Sequence, residues 1–208
     1  MKYEFCNSPY SMLRNNEKIY RNEMSEIIFT IAENDTDLRQ ILALQQLNYK
    51  AYVPAEEAVS QGFVSIEHEF TLLKDMNADY PHIIAKSGGK VIGYALVMLR
   101  KFGDKVDVLL PMFERINVLD WNGKSMNDSA YFIMGQVCVA KDFRGKGVFS
   151  GLYAEMKERM KGDFDYLVTE VASRNTRSMR AHEKVGFELM LNYAVKGDEE
   201  WNIVLLEL

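Results

Sequence analysis

The sequence predicts a mixed α/β layer fold, on three observations. Short runs rich in β-branched and aromatic residues alternate with stretches whose apolar residues recur every three to four positions, the periods of strands and amphipathic helices. A paired glycine, Gly88-Gly89, joins two of the apolar runs, which marks a hairpin. Between residues 131 and 160 the chain runs from an apolar strand through a glycine turn into a helix. At 208 residues, 48% of them hydrophobic, the chain suits one domain with an ample core.

Taken in order, residues 1–24 show no sustained period and read as an arm outside the core, with residues 25–208 as the domain. Ile27–Ile31 is a short strand. Asn34 to Asp37 supply helix-capping chemistry, and Leu38, Ile41, Leu42, Gln45 and Tyr49 follow a helical stripe that Pro54 breaks. A second helix is expected from about Ser65 to Met76, with Ile66, Phe70, Leu73 and Met76 inward. On it, His68 reads as a surface or packing residue rather than a ligand. Pro81–Ala85 and Lys90–Leu99 are the hairpin strands. Lys101–Ser129 is a long excursion for a compact domain. In it Leu109, Met112, Phe113, Ile116 and Leu119 are spaced for one helix face, and Asn122-Gly123 turns the chain back.

Tyr131–Val139 reads as a buried strand. The turn Phe143-Arg144-Gly145-Lys146-Gly147-Val148-Phe149 follows, and Val148, Leu152, Met156 and Met160 then recur as one helix face. The first amides of a helix lack partners within it and sit at the positive end of its dipole. Two glycines let the backbone bend so that those amides surround a phosphate, and Arg144 and Lys146 add charge there. Phe164–Ala172 is the next strand, and Asn175 to Lys184 a short helix that Gly186 ends. Phe187–Tyr193 and Trp201–Leu206 close the chain about a Gly197-Asp198 turn. The order is β-α-α-β-β-(insert)-β-α-β-α-β-β.

Known phosphate cradles narrow the choice. The P-loop spacing is absent. In the dinucleotide pattern G-x-G-x-x-G, Gly145 and Gly147 fit but Ser150 takes the third place, although Glu170 lies where the ribose-binding acid would. Ala140 to Arg144 also separate the strand from the first glycine, and the unit comes too late for a doubly wound sheet. The turn resembles instead the acyl-CoA-binding core of the GNAT superfamily of N-acyltransferases, with its Arg/Gln-x-x-Gly-x-Gly/Ala. Arg144 and Gly147 match, and Phe149 replaces the last small residue. Asn175 to Phe187, ending Glu-Lys-Val-Gly-Phe, resembles the second signature of that family. The likeness reaches more weakly back to about Ile27.

This resemblance implies a mixed, mostly antiparallel twisted sheet flanked by helices. It also implies an N-acetyltransferase that passes an acetyl group from acetyl-CoA to a primary amine by direct attack, without a metal. Arg144, Gly145, Lys146, Gly147, Val148 and Phe149 would hold the diphosphate. Main-chain groups of the stretch Val137, Cys138 and Val139 would pair with the pantetheine arm like an added strand. Asn175 would bond the same arm, while also suiting a helix N-cap. His182 stands where the family commonly has a Tyr facing the sulfur, and would give a proton or hydrogen bond to the thiolate. Freeing the lone pair of an alkyl ammonium of pKa ~10.4 at pH 7 costs roughly 4–5 kcal/mol, against about 2 for an unprotonated thiolate. A base near the acceptor therefore matters most. Glu170 is the candidate, with Gln136 and Tyr131 able to orient water. Cys138, in mid-strand, is not read as a nucleophile.

A net charge of −5 and a pI near 5.4 disfavour nucleic acid as a partner. No apolar run approaches the ~20 residues that span a membrane, and no signal-peptide core opens the chain. Cys6 and Cys138, without metal spacing, fit a reduced, cytoplasmic protein. The expected partner is an amine acceptor, and a homodimer is left open. Tyr52 to Val64 is expected to line the acceptor side. The excursion reads equally as an acceptor-selecting wall and as a helix covering a sheet edge. The alternative function is a non-catalytic acyl-CoA-binding sensor or interaction module.

Overall fold

The computed structural model describes residues 26–49, 64, 66–106, 109–195 and 199–208. The expected arm, the turn at Gly197-Asp198 and the stretch from Tyr52, save Val64, lie outside them. The elements run β1 (Ile27–Ile31), α1 (Asp35–Leu47), α2 (Phe70–Asp79), β2 (Ile83–Ser87) and β3 (Lys90–Met98). The excursion holds α3 (Leu110–Ile116) and two short strands, β4 (Asp120–Trp121) and β5 (Lys124–Ser125). Then come β6 (Tyr131–Val139), α4 (Val148–Met160), β7 (Tyr166–Ala172), α5 (Thr176–Val185), β8 (Glu188–Val195) and β9 (Glu199–Glu207). Apart from the hairpin inside the excursion, this is the order the periodicities predict.

Local chemistry sets most boundaries. Asn34 caps α1, its Oδ1 accepting from the N–H groups of Thr36 and Asp37 at 3.0 and 3.1 Å. Gly88 and Gly89 take φ of 57° and 77° in the β2–β3 turn. Asn122 and Gly123, at φ 49° and 80°, do the same between β4 and β5. The second helix is a correction: it begins at Phe70, five residues after the expected start. The Gln45 side chain takes the His68 N–H (2.8 Å), and Gln136 Nε2 donates to the Ile66 carbonyl (2.8 Å). Those backbone groups are spent on side chains from α1 and β6, so residues 66–69 stay out of the helix.

The large sheet has the order β1-β2-β3-β6-β7-β9-β8 and is antiparallel except at β6–β7. Its faces bury different helices. Leu38, Ile41, Leu73, Met76 and Met112 of α1 to α3 pack with Tyr94, Leu96 and Met98 on one face. Leu152, Met156 and Met160 of α4 pack with Ala95, Val97 and Phe132 on the other, beside α5. The second contact depends on two glycines. A Cβ at Gly151 would lie 2.1 Å from Phe29 Cζ, and one at Gly93 2.8 Å from Val148 Cγ1.

The parallel pair positions the site. β6 and β7 pair only over Tyr131↔Tyr166, Phe132↔Leu167 and Ile133↔Val168. Beyond that, β6 stays with β3 but carries an extra residue near Gly135-Gln136, since Ala95↔Val137 is followed by Val97↔Met134. Such a bulge bends its strand. β7 keeps to β9 as far as Ala172↔Trp201. The two strands therefore diverge, and Thr169 Oγ1 donates to the Met134 carbonyl (2.9 Å) at the apex of the wedge.

Candidate active site

The turn between β6 and α4 has the backbone the glycines predict. Gly145 and Gly147 take φ of 76° and 80°, a left-handed conformation open to glycine at little cost. Gly147 is the N-cap of α4, and no side chain caps the helix. Ser150 Oγ donates to the Gly147 carbonyl (2.9 Å) instead of accepting from an amide. The first intrahelical bond runs from Gly151 N–H to Gly147 O at 2.9 Å, so the amides of Val148, Phe149 and Ser150 have no acceptor within the helix. Val148 is buried against Gly93. Phe149 turns inward, its ring edge-on to His182 at 5.1 Å, so its bulk is taken up by the core. Lys146 Nζ lies 5.3 Å from the Phe143 ring centroid.

Arg144 is held by protein groups. Its Nε donates to the Val139 carbonyl (3.2 Å) and its Nη2 to Asn48 Oδ1 (2.6 Å). The guanidinium thus braces the turn against the end of α1 rather than facing outward with the glycines. Its Nη1 is buried without a hydrogen-bond partner, a donor left over beside the wedge.

The open edge of β6 is set by ladder alternation. Ala140 N–H donates to Ile92 O at 2.8 Å, so two residues back Cys138 pairs with Tyr94 in the same hydrogen-bonded sense. The N–H and C=O groups of Val137 and Val139 then point the other way, to the side β7 has left. Cys138 is turned away from the wedge: its backbone serves β3 and its thiol lies in the core, where burial pushes its pKa up to about 12. Of the three residues expected to contact an added strand, Val137 turns both main-chain groups that way, Val139 already gives its carbonyl to Arg144 Nε, and Cys138 faces β3.

Two cavities meet at the wedge. The smaller, about 100 Å³, lies between Met134–Val137 of β6 and Thr169–Ala172 of β7, with Asn175, Ser178 and His182 of α5 beside it. The larger, about 390 Å³, adds Leu109, Pro111 and Met112 from the excursion and Tyr193 and Val195 from β8. Ile66, Met134, Gly135, Thr169, Glu170 and Trp201 line both. Alternation along β7 sends Leu167 and Val171 to the α4 face, and Val168 and Glu170 to the face of α1 to α3.

Glu170 Oε2 accepts from Tyr193 OH at 2.7 Å. Burial raises the carboxyl pKa above its ordinary value, and the Tyr193 bond and the Arg115 charge partly oppose that rise. The Arg115 guanidinium stands 4.0 Å from the Tyr193 ring centroid, and its Nη1 donates to the Pro111 carbonyl (2.7 Å). Asn175 lines the smaller cavity and caps α5, its Oδ1 accepting from Ser178 N–H at 3.1 Å.

His182 borders the smaller cavity from inside the core. It is 1% exposed, and both ring nitrogens are engaged. Nδ1 lies 2.8 Å from the Ser178 carbonyl and therefore carries the hydrogen, and Nε2, at 2.8 Å, accepts from Tyr153 OH. The ring packs edge-on among Phe149, Tyr153 and Phe187. Burial lowers its pKa to about 4, so the ring is neutral, and its one N–H is given to the Ser178 carbonyl.

Sequence reading missed a buried network beside the wedge. Gln136 Oε1 accepts from Tyr94 OH (2.5 Å) and from Gln45 Nε2 (2.7 Å). Gln45 Nε2 also lies 2.9 Å from His68 Nδ1, which accepts. His68 is thus no surface residue: it is 5% exposed, and its Nε2 has no partner. Gln45 on an apolar stripe was the available signal. Tyr131 bonds Asn117 (3.3 Å) under the Arg100 guanidinium, away from the wedge. Among the described residues, no cluster of His, Cys, Asp and Glu could hold a metal, and no helix is long and apolar enough to cross a membrane.

The model of the acetyltransferase (GNAT) family matches residues 43–187. Among solved structures, the chain is similar to one of the NatC complex bound to Gag peptide and CoA, with a TM-score of 0.60 and 15% identity over 88% of this chain and 99% of that one. It is also similar to a ribosomal-protein-alanine N-acetyltransferase from Brucella melitensis (TM-score 0.56, 18% identity, 87% and 99% covered). A third likeness is to an N-acetyltransferase from Staphylococcus aureus Mu50 (TM-score 0.57, 17% identity, 88% and 99% covered). No curated protein matches the sequence.

Proposed function

Because the chain belongs to the acetyltransferase (GNAT) family, we propose that it transfers an acetyl group from acetyl-CoA to a primary amine, with Glu170 taking the proton the amine must lose. The observation that carries this is the place of Glu170: its carboxylate stands where the wedge cavity and the larger cavity meet.

The residues present fit the co-substrate. The uncapped amides of α4 and the bend at Gly145 and Gly147 suit its diphosphate. The outward main-chain groups of Val137 suit an added strand, and Asn175 stands at the same cavity. Bound there, acetyl-CoA supplies an acyl group activated as a thioester. In the transfer a C–N bond forms at the amine, and the thioester C–S bond breaks with its electron pair going to sulfur. The nitrogen proton goes to Glu170. Burial makes this carboxylate a stronger base than an exposed one, and the same dry surroundings favour the neutral amine. An unprotonated leaving sulfur costs about 2 kcal/mol at pH 7, which requires no dedicated acid. His182 is a positioning residue in this reading: it ties α5, and with it Asn175, to Tyr153 of α4.

Glu170→Gln should lower kcat by about 10²–10⁴-fold, the range for loss of a general base, while leaving the melting shift with acetyl-CoA intact. Unchanged turnover moves the base elsewhere. Thiol release across an amine panel tests transfer itself. A sensor would be stabilised by acetyl-CoA and release no thiol with any amine.

A further inference from the structure

We infer that the acceptor is a small monoamine carried on an apolar, uncharged body, seated in the 390 Å³ cavity between α3 and Glu170. This rests on the transfer reading and deepens it.

The cavity walls carry the inference. Leu109 and Met112 at the excursion helix, Ile133 of β6 and Val195 of β8 offer no polar side-chain atom. Besides Glu170, the polar side-chain groups on the wall are uncharged: the Trp201 indole N–H, the Thr169 hydroxyl and the Tyr193 hydroxyl. Thr169 Oγ1 donates to the Met134 carbonyl, and Tyr193 OH donates to Glu170. Among the described lining residues, Glu170 is the one carboxylate, and no lysine or arginine lines the space. The Arg115 charge stands behind the Tyr193 ring and bonds the Pro111 carbonyl. The site can therefore pair one ammonium, and no second charge. The far ammonium of a diamine, or the carboxylate of an amino acid, would enter an apolar space unpaired. The volume, about 390 Å³, lies near the small end of ligand sites, which run ~300–1,000 Å³, and so suits a small molecule rather than a polypeptide segment.

The test uses the full chain with saturating acetyl-CoA and reads thiol release. Along propylamine, butylamine, pentylamine and hexylamine, kcat/KM should rise about fourfold per methylene, as burial of each group in an apolar site predicts. Hexylamine should exceed 1,5-diaminopentane and 5-aminopentanoate, which are of similar length, by at least about tenfold. Val195→Phe, which narrows the half-buried wall, should end the rise at a shorter amine, with the acetyl-CoA melting shift confirming that the variant folds. A flat alkylamine series overturns the inference. So does a diamine, an amino acid or a peptide α-amine that matches hexylamine; in those cases thiol release continues and the transfer reading stands. Silence from every amine, with acetyl-CoA still stabilising the chain, overturns the transfer reading and this inference with it.

Discussion

Glu170 sits under two opposed influences. Burial raises its pKa, while the bond from Tyr193 OH (2.7 Å) and the Arg115 charge lower it. In the proposed role it must be ionised, so activity should fall as pH drops through that pKa. Tyr193→Phe keeps the ring beneath Arg115 but removes the bond that favours the ionised form. The acid limb of kcat/KM should then move to higher pH, with the plateau at alkaline pH little changed. A limb that stays in place would separate Tyr193 from the base. The tyrosine itself cannot serve: burial and the neighbouring carboxylate push its pKa well above its ordinary value.

Among the elements, α4 has an exacting fit, and its N-terminus carries the glycine turn. The helix lies so close to β1 that Gly151 has no room for a methyl group beside Phe29, the nearest ring atom being 2.1 Å from a built Cβ. Gly151→Ala should force α4 off the sheet. Overpacking of this kind costs about 1–3 kcal/mol, and the displaced turn should bind acetyl-CoA more weakly. Gly162, just past the same helix, is the control: a Cβ there meets nothing within 4 Å, so Gly162→Ala should leave both readouts alone. Urea unfolding and the acetyl-CoA melting shift measure the two effects. Equal behaviour of the two variants would mean that the helix seat has more slack than its contacts indicate.

At the scale of the whole molecule, three histidines couple folding to protons. His68, His82 and His182 are 5%, 0% and 1% exposed, and burial lowers their pKa values from 6.5 to about 4, 3 and 4. His82 is held neutral at both nitrogens, Nδ1 accepting from Val97 N–H and Nε2–H donating to the Leu73 carbonyl, each 3.1 Å. An unfolded chain takes up these protons near pH 6.5, whereas the fold resists them until about pH 4 or below. The stabilisation from neutral burial is therefore present above pH 6.5 and declines as pH falls toward 4. Each histidine contributes a slope of up to about 1.4 kcal/mol per pH unit in that window. Urea midpoints between pH 7.5 and 5 should fall accordingly, and His82→Phe should flatten the dependence by one histidine's share. A midpoint independent of pH there would contradict the burial of all three.

The sequence by itself determined what depends on near neighbours in the chain. The 3.6 and 2 periods placed the core elements in order, the glycines at 145, 147 and 186 marked a turn and a helix end, and Asn34 and Asn175 marked two caps. The bend of the glycine turn was legible for the same reason, since six consecutive residues make it. Only the tertiary structure decided which distant side chains meet. Sheet order brings Asn48 to Arg144, and so turns that arginine into a brace. It brings Tyr153 to His182, which spends the imidazole on a buried bond, and Gln45 to His68 and Gln136, which holds α2 back to Phe70. The larger cavity needs α3, β6, β7, β8 and β9 at once. A repeat of two or four residues records which face a side chain takes. It carries no record of what packs against that face, because burial and hydrogen bonding across the sheet are settled only when strands far apart in the chain lie side by side.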